Sequence, residues 1–437
     1  LGAVARFGQD RAIGTDDHGA DGHLPPHSGF TRDRKGTFHG RWSCRAGHNE
    51  ENGINTSREE YAMRFSFTPE QEEFRAGLRR ALEARSPTKE VRRLMATEAG
   101  WEREGWQRLN SELGLTAIQI PEEFGGQGFG FGELGIVLEE MGRSLLCAPF
   151  LSTALAAMAI QNAGSEDQKR ALLPSLADGS KTATLAVSED NGRNDAAGVA
   201  TTATQSGGAW RLVGTKSFVL DGHTADLVVV LARLAGTKGD QGLSFFTVAG
   251  DAAGLDRHRL DTMDETRKLA RLQFASVEAQ PLGEPGKAVA AFERTMQQAA
   301  ICLANEMVGG ADRLRQDALD YTKMRMQFGR SIASFQVTKH KAADMLVDVE
   351  MAKSAAYYAA AALDEGDDEL PALAALAKAA ASEAYLQTAI HAVQMHGGIG
   401  FTWDNDTHLW FKRAKSSEIL FGDAVWHREQ MMRHWKH

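Results

Sequence analysis

The chain has 437 residues, 43% of them hydrophobic and 24% charged, with a net charge of -9 and a pI near 5.9. That length suits two or three domains around a sizeable core. The acidic balance excludes the footprint of a nucleic-acid binder, which needs lysines and arginines against phosphates.

Three cysteines, Cys44, Cys147 and Cys302, lie far apart and form no CxxC pair. Neither a disulfide framework nor a zinc site is expected, and a reducing compartment fits better. No run of eighteen apolar residues and no N-terminal apolar stretch occurs, so the chain reads as cytoplasmic, without a membrane partner.

Residues 1–62 are rich in Gly, His, Asp and Arg and lack apolar periodicity. Such a segment cannot bury enough surface to offset its ordering entropy, and it is expected to be disordered. Arg58-Glu59-Glu60-Tyr61-Ala62-Met63 can be encoded with a purine-rich ribosome-binding sequence just before an ATG. Translation is therefore expected to start at Met63, with 1–62 a non-native upstream extension; a disordered native tail is the alternative.

Helical periodicity begins after Thr68-Pro69-Glu70, with Thr68 as N-cap and Pro69 at the first helical position. Apolar residues then recur every three or four positions, through Phe74, Leu78, Leu82, Trp101, Trp106, Leu109 and Leu113. The stretch 63–182 is expected to be a helical domain, broken by Pro121 to Gly126. Gly125-Gly126-Gln127-Gly128-Phe129-Gly130 lacks GxGxxG spacing and follows no apolar strand, so it is not a dinucleotide fingerprint.

From 183 to 283 short β-type runs take over: 184–187, 209–213, 227–231 and 243–248, separated by glycine-containing turns. They predict an antiparallel sheet or small barrel. From 284 to 437 the helical period returns, over 292–323, 335–363 and 373–395, with a turn at Gly366-Asp367-Asp368. The fold class is thus α+β, mainly α.

Three motifs in this frame carry chemistry. Arg325-Met326-Gln327-Phe328-Gly329-Arg330 with Gln336 supplies an arginine able to grip a pyrophosphate, a packing aromatic and an amide. In Gln394-Met395-His396-Gly397-Gly398, the glycine pair lets backbone amides approach a phosphate or ribose, or caps a helix. His396 has no second-ligand spacing, so no metal is expected. The third, Val187-Ser188-Glu189-Asp190 with Asn194, offers a hydroxyl and an amide at the end of a strand.

These motifs, and the α, β, α order, resemble the acyl-CoA dehydrogenase family over nearly everything from Met63 to the end. The resemblance implies a helical N-terminal domain, an antiparallel β middle domain and a C-terminal four-helix bundle. It implies FAD as cofactor, held by Arg325, Phe328 and Gln336 toward a neighbouring subunit and by Gln394, Gly397 and Gly398 along the flavin nucleotide. In the β domain it places Val187 and Ser188 at the pyrimidine edge of the flavin. Asn194 stands there for a usual serine, Phe218 for a usual tryptophan, and Leu220 replaces a polar contact.

The family oxidises an acyl-CoA between its α and β carbons and passes electrons to an electron-transfer flavoprotein, commonly as a tetramer. Removal of the α proton needs a base, and counting from Gly397 the usual glutamate position falls on Phe421. Asp423 is the nearest carboxylate. A second family position, on the first bundle helix, falls on Ala299, with Glu293 and Glu306 about two turns either side.

Phe421-Gly422-Asp423 resembles the paired actinobacterial members in which one subunit lacks the glutamate and its partner supplies the base. Three readings follow: a dehydrogenase in a homo- or hetero-tetramer, a catalytically silent subunit completing a partner's FAD site, or a same-fold flavin oxidase on a non-CoA substrate using Asp423.

Overall fold

The computed structural model describes residues 67–435; the expectations for 1–62 and the start at Met63 lie outside them. The first helix, α1 (Pro69–Arg85), opens on a capping box. Thr68 Oγ1 accepts from the Gln71 amide at 3.2 Å and Gln71 Oε1 accepts from the Thr68 amide at 2.9 Å, with Pro69 at N1 as predicted. It is followed by α2 (Thr88–Met95), α3 (Arg103–Leu113), α4 (Phe131–Ser144), α5 (Phe150–Ala163) and α6 (Glu166–Ala177).

The strands are β1 (Ala183–Ala186), β2 (Thr202–Ser206), β3 (Ala209–Leu220), β4 (Leu227–Leu234), β5 (Leu243–Ala249), β6 (Leu255–Leu260) and β7 (Leu269–Leu282). Pairing runs β1-β4-β2-β3-β7-β5, and an additional β4 to β5 ladder closes the path into a small barrel. Most ladders are antiparallel; β1 with β4 and β2 with β4 are parallel. Along β4 the strand period sorts side chains into two cores. Val228 and Val230 join Phe246, Leu272 and Phe274 in one cluster, whereas Val229 and Leu231 join the cluster shared with the helices.

The chain ends in α7 (Val289–Met324), the hairpin β8 (Met326–Gln327) and β9 (Arg330–Ser331), α8 (Gln336–Glu365), α9 (Leu370–His396), α10 (Thr407–Ile419) and α11 (Ala424–His434). Alanine on most faces of α9 buries it among its neighbours, since a helix apolar all round has no solvent side. Glycines bring α4 against α7: a Cβ on Gly142 would lie 1.9 Å from Glu306 O, and one on Gly309 1.9 Å from Glu139 O. Close backbone approach thus fixes the seam where the helical parts before and after the barrel meet.

Candidate active site

The predicted site residues form two groups. In the β group, Val187 and Ser188 follow β1 half-buried, and the Ser217 amide donates to Ser188 O at 2.9 Å. The register of β3 against β7 shifts between Lys216 and Val219, a bulge that puts Phe218 at φ +57 with its ring half exposed. An aromatic residue held in the left-handed region costs free energy and marks a place where direction matters more than stability. Asn194 sits half-buried just before the 3-10 turn Ala196–Gly198; among the described residues neither its amide nor the Ser188 hydroxyl has a partner.

The second group gathers at one end of the helices. Arg325 ends α7, Phe328 tips the β8–β9 hairpin at φ +52, and Gln336 opens α8. The Tyr321 ring stacks on His396 at 4.3 Å, and Lys341 Nζ lies 3.4 Å from His391 Nδ1, which brings the end of α9 beside them. Arg325, Gln336, Gln394, Gly397 and Gly398 are exposed, and Phe328 is 91% exposed. Arg330 lies over the Phe335 ring at 4.1 Å, whereas the Arg325 guanidinium has no partner among the described residues.

Gly397 caps α9 at φ +66, so the cap reading of the glycine pair holds there. Gly398 has no positive φ, and a Cβ on it would meet nothing within 4 Å. Its own chain does not require glycine at that position. An open backbone surface beside an unpartnered arginine and two exposed amides fits a pyrophosphate and its ribose, so these residues suit FAD.

Phe421, the position at which a base is expected, is closed off. Phe421 lies at φ +59 in the core, 6% exposed, and Gly422 follows at φ +105, where a Cβ would strike Trp426 at 2.5 Å. Two basic groups missed at the sequence level hold this turn. Lys378, fully buried on α9, donates to Ser382 Oγ at 3.0 Å and to the carbonyls of Glu418 and Gly422 at 3.1 Å. Burial pushes its ammonium down to about 7, against the pull of Glu418 and Asp423. Burial, with Lys378 nearby, holds His427 down at about 3, so the ring is neutral and its Nε2–H donates to Phe421 O at 3.1 Å. A single lysine in the alanine-rich run of α9 was the available signal.

Asp423 is exposed and serves as the N-cap of α11, accepting from the Trp426 amide at 2.8 Å. Glu306 is buried with its Oε1 bonded by Arg413 at 2.6 Å and by Arg267; Arg413 also donates to Asp264 at 2.8 Å and Thr266 at 2.7 Å. The pocket it lines, with Asp221, Trp101 and Leu220, holds only about 40 Å³. That is room for water and far below the 300–1,000 Å³ or so of a substrate site. Burial raises the Asp221 carboxyl to about 6, with Ser152 donating to it at 2.7 Å. Ala299 is fully buried and Glu293 is exposed. Glu306 therefore acts as the anion of a buried ion-pair network.

Residues 68–180, 184–277 and 288–435 match, in turn, the acyl-CoA dehydrogenase N-terminal, middle and C-terminal domains. The chain is 36% identical over 331 residues to the acyl-CoA dehydrogenase IpdE2 of Mycobacterium tuberculosis, covering 76% of this chain and 86% of that one. Its fold superposes on butyryl-CoA dehydrogenase from Megasphaera elsdenii with a TM-score of 0.80 at 28% identity, over 85% of this chain and 99% of that one. Against the ChsE4-ChsE5 complex from Mycobacterium tuberculosis the TM-score is 0.76 at 26% identity, over 85% and 98%. Three consecutive domain matches, a relative above 30% identity and the same helix, barrel, helix order together make this chain a member of the acyl-CoA dehydrogenase family.

Proposed function

We propose that this chain is one subunit of a paired, FAD-dependent acyl-CoA dehydrogenase that introduces an α,β double bond into a fatty-acyl or steroid-derived thioester. The observation that carries this is the outward projection of Phe328, 91% exposed, between unpartnered Arg325 and exposed Gln336. Such groups, gathered on and beside one hairpin, suit burial against another chain, where they would grip the pyrophosphate and adenosine of FAD. The relative ChsE4-ChsE5, itself described as a complex, lends the pairing support.

FAD held by Arg325, Phe328 and Gln336 would supply a hydride acceptor for the β carbon, with an electron-transfer flavoprotein as onward acceptor. The α proton needs a carboxylate to take it, and at the three positions weighed in this chain the side chain is apolar or already engaged, Glu306 through Oε1 while its Oε2 has no partner among the described residues. Phe421 is apolar, Asp423 is committed to capping α11, and Glu306 is tied to two arginines. The base comes from the partner. Val187, Ser188, Asn194 and Phe218 would orient a flavin ring, and Gln394, Gly397 and Gly398 would face the phosphates of FAD.

The test is to purify the chain alone and with a related subunit that carries glutamate at the position aligned with Phe421. FAD per chain and flavin bleaching by a panel of acyl-CoAs are then measured. The pair is expected to bind FAD and bleach, and Arg325→Ala in this chain should strip FAD from the pair without dissociating it. Full bleaching by the chain alone overturns the paired reading.

A further inference from the structure

The four residues after β1, Val187 to Asp190, are all held by two residues of the β3 bulge. Lys216 Nζ donates to Val187 O at 3.1 Å and to Glu189 Oε1 at 2.7 Å. Beside it the Ser217 amide donates to Ser188 O at 2.9 Å, and the Ser217 hydroxyl donates to Asp190 Oδ1 at 2.5 Å. Glu189 in turn accepts from the amides of Ala200 and Thr201, both at 2.9 Å, which ties in the loop that carries Asn194.

Lys216 is fully buried. Placing an ammonium in a barrel wall is costly, and a packed apolar pair there would often be as stable or more so. Burial pushes Lys216 down to about 8 while Glu189 opposes it. Burial also raises Glu189, but Lys216 and the two amides outweigh it and leave the carboxyl below its usual range. The pair is therefore ionised near neutral pH. What the ion pair does that an apolar pair cannot is hold the Val187 carbonyl and the Glu189 side chain at the same time. Ser188 is left between them with its hydroxyl unpartnered, and Phe218, two residues after Lys216, is half exposed beside it.

We propose that Lys216 is a positioning residue for the flavin ring, setting through Val187 and Glu189 the turn that presents Ser188, Asn194 and Phe218 as one surface. The proposal rests on the FAD reading above. Lys216 touches no flavin atom itself; its effect reaches the ring through the turn.

The test uses the assembled complex, stripped of flavin and titrated with FAD. Lys216→Met is expected to weaken FAD binding roughly tenfold or more, the equivalent of one buried charge-assisted hydrogen bond, and to shift the bound-flavin absorption band. It should also lower the melting temperature by leaving Glu189 unpaired. Adding Glu189→Gln to it removes the stranded charge while keeping an acceptor for the Ala200 and Thr201 amides. That double variant should regain melting temperature without regaining FAD affinity, and it carries the test if the single variant does not fold. A double variant that binds FAD with wild-type affinity and spectrum overturns the proposal. A wild-type complex that takes up no FAD overturns the flavin reading itself.

Discussion

Replacing Lys378 with methionine should change how stability depends on pH, by an amount set by the depression of its ammonium. Burial lowers that group from 10.5 to about 7, with Arg267 adding to the shift and Glu418 and Asp423 opposing it. The folded chain thus releases this proton near pH 7 and the unfolded chain near 10.5. Between those values the unfolded chain binds more protons, so folding gains stability as pH rises, by up to about 1.36 kcal/mol per unit. Integrated from pH 6 to pH 9, this one group contributes a few kcal/mol, on the order of one 1.36 kcal/mol step for each pH unit above 7. Methionine fills a similar volume and has no such titration. It also leaves Ser382 Oγ and the carbonyls of Glu418 and Gly422 without their donor, at roughly 1–3 kcal/mol for each buried group. The variant should be less stable throughout, and its deficit should widen by a few kcal/mol between pH 6 and pH 9. Lys216 and Asp221 titrate in the same range but are common to both proteins, so they cancel in the difference. Urea unfolding followed by tryptophan fluorescence at pH 6, 7.5 and 9 gives the two curves. Parallel curves would refute the assignment of a depressed lysine behind the Phe421 turn.

Glu306→Gln should cost about 3–5 kcal/mol by leaving Arg267 and Arg413 facing each other across a neutral amide, read as a lowered urea midpoint. A change below about 0.5 kcal/mol would show the network to be dispensable. Two glycine substitutions should separate a ligand surface from a packing contact. Gly398→Ala should leave stability within about 0.5 kcal/mol of wild type while lowering the FAD content of the pair. Gly126→Ala, whose Cβ would sit 1.8 Å from Ile120 O, should destabilise the fold by about 1–3 kcal/mol or more. Asp423→Ala should cost about 1 kcal/mol through loss of the α11 cap, and Asp423→Asn almost nothing, with acyl-CoA bleaching by the pair unchanged in the Asn variant. Loss of bleaching with unchanged stability would return Asp423 to the role of base.

The helices and strands were legible because periodicity and local chemistry decide them. Thr68-Pro69 caps α1 as expected, the long runs in the last third form α7, α8 and α9, and Gly366 closes α8 in the left-handed region. The parallel pairing of β1 with β4 was not legible, since register between distant strands leaves no local mark. In the proposed site, the Arg325 to Gln336 and Gln394 to Gly398 segments stood out because phosphate chemistry needs unusual residues at close spacing. Lys216 and Lys378 did not, because an isolated lysine in a strand or an alanine-rich helix reads as a solvated charge.

The family and the order of helical, β and helical parts were readable in the residues alone. These follow from residue identity and short-range spacing. Which carboxylates are engaged came from the folded chain, because Glu306 depends on partners far away in sequence. Glu306 meets Arg267 and Arg413 from other elements, Asp423 is used by α11, and the Phe421 turn is held by Lys378 and His427. A buried charge is defined by what surrounds it, and long-range packing alone supplies those surroundings.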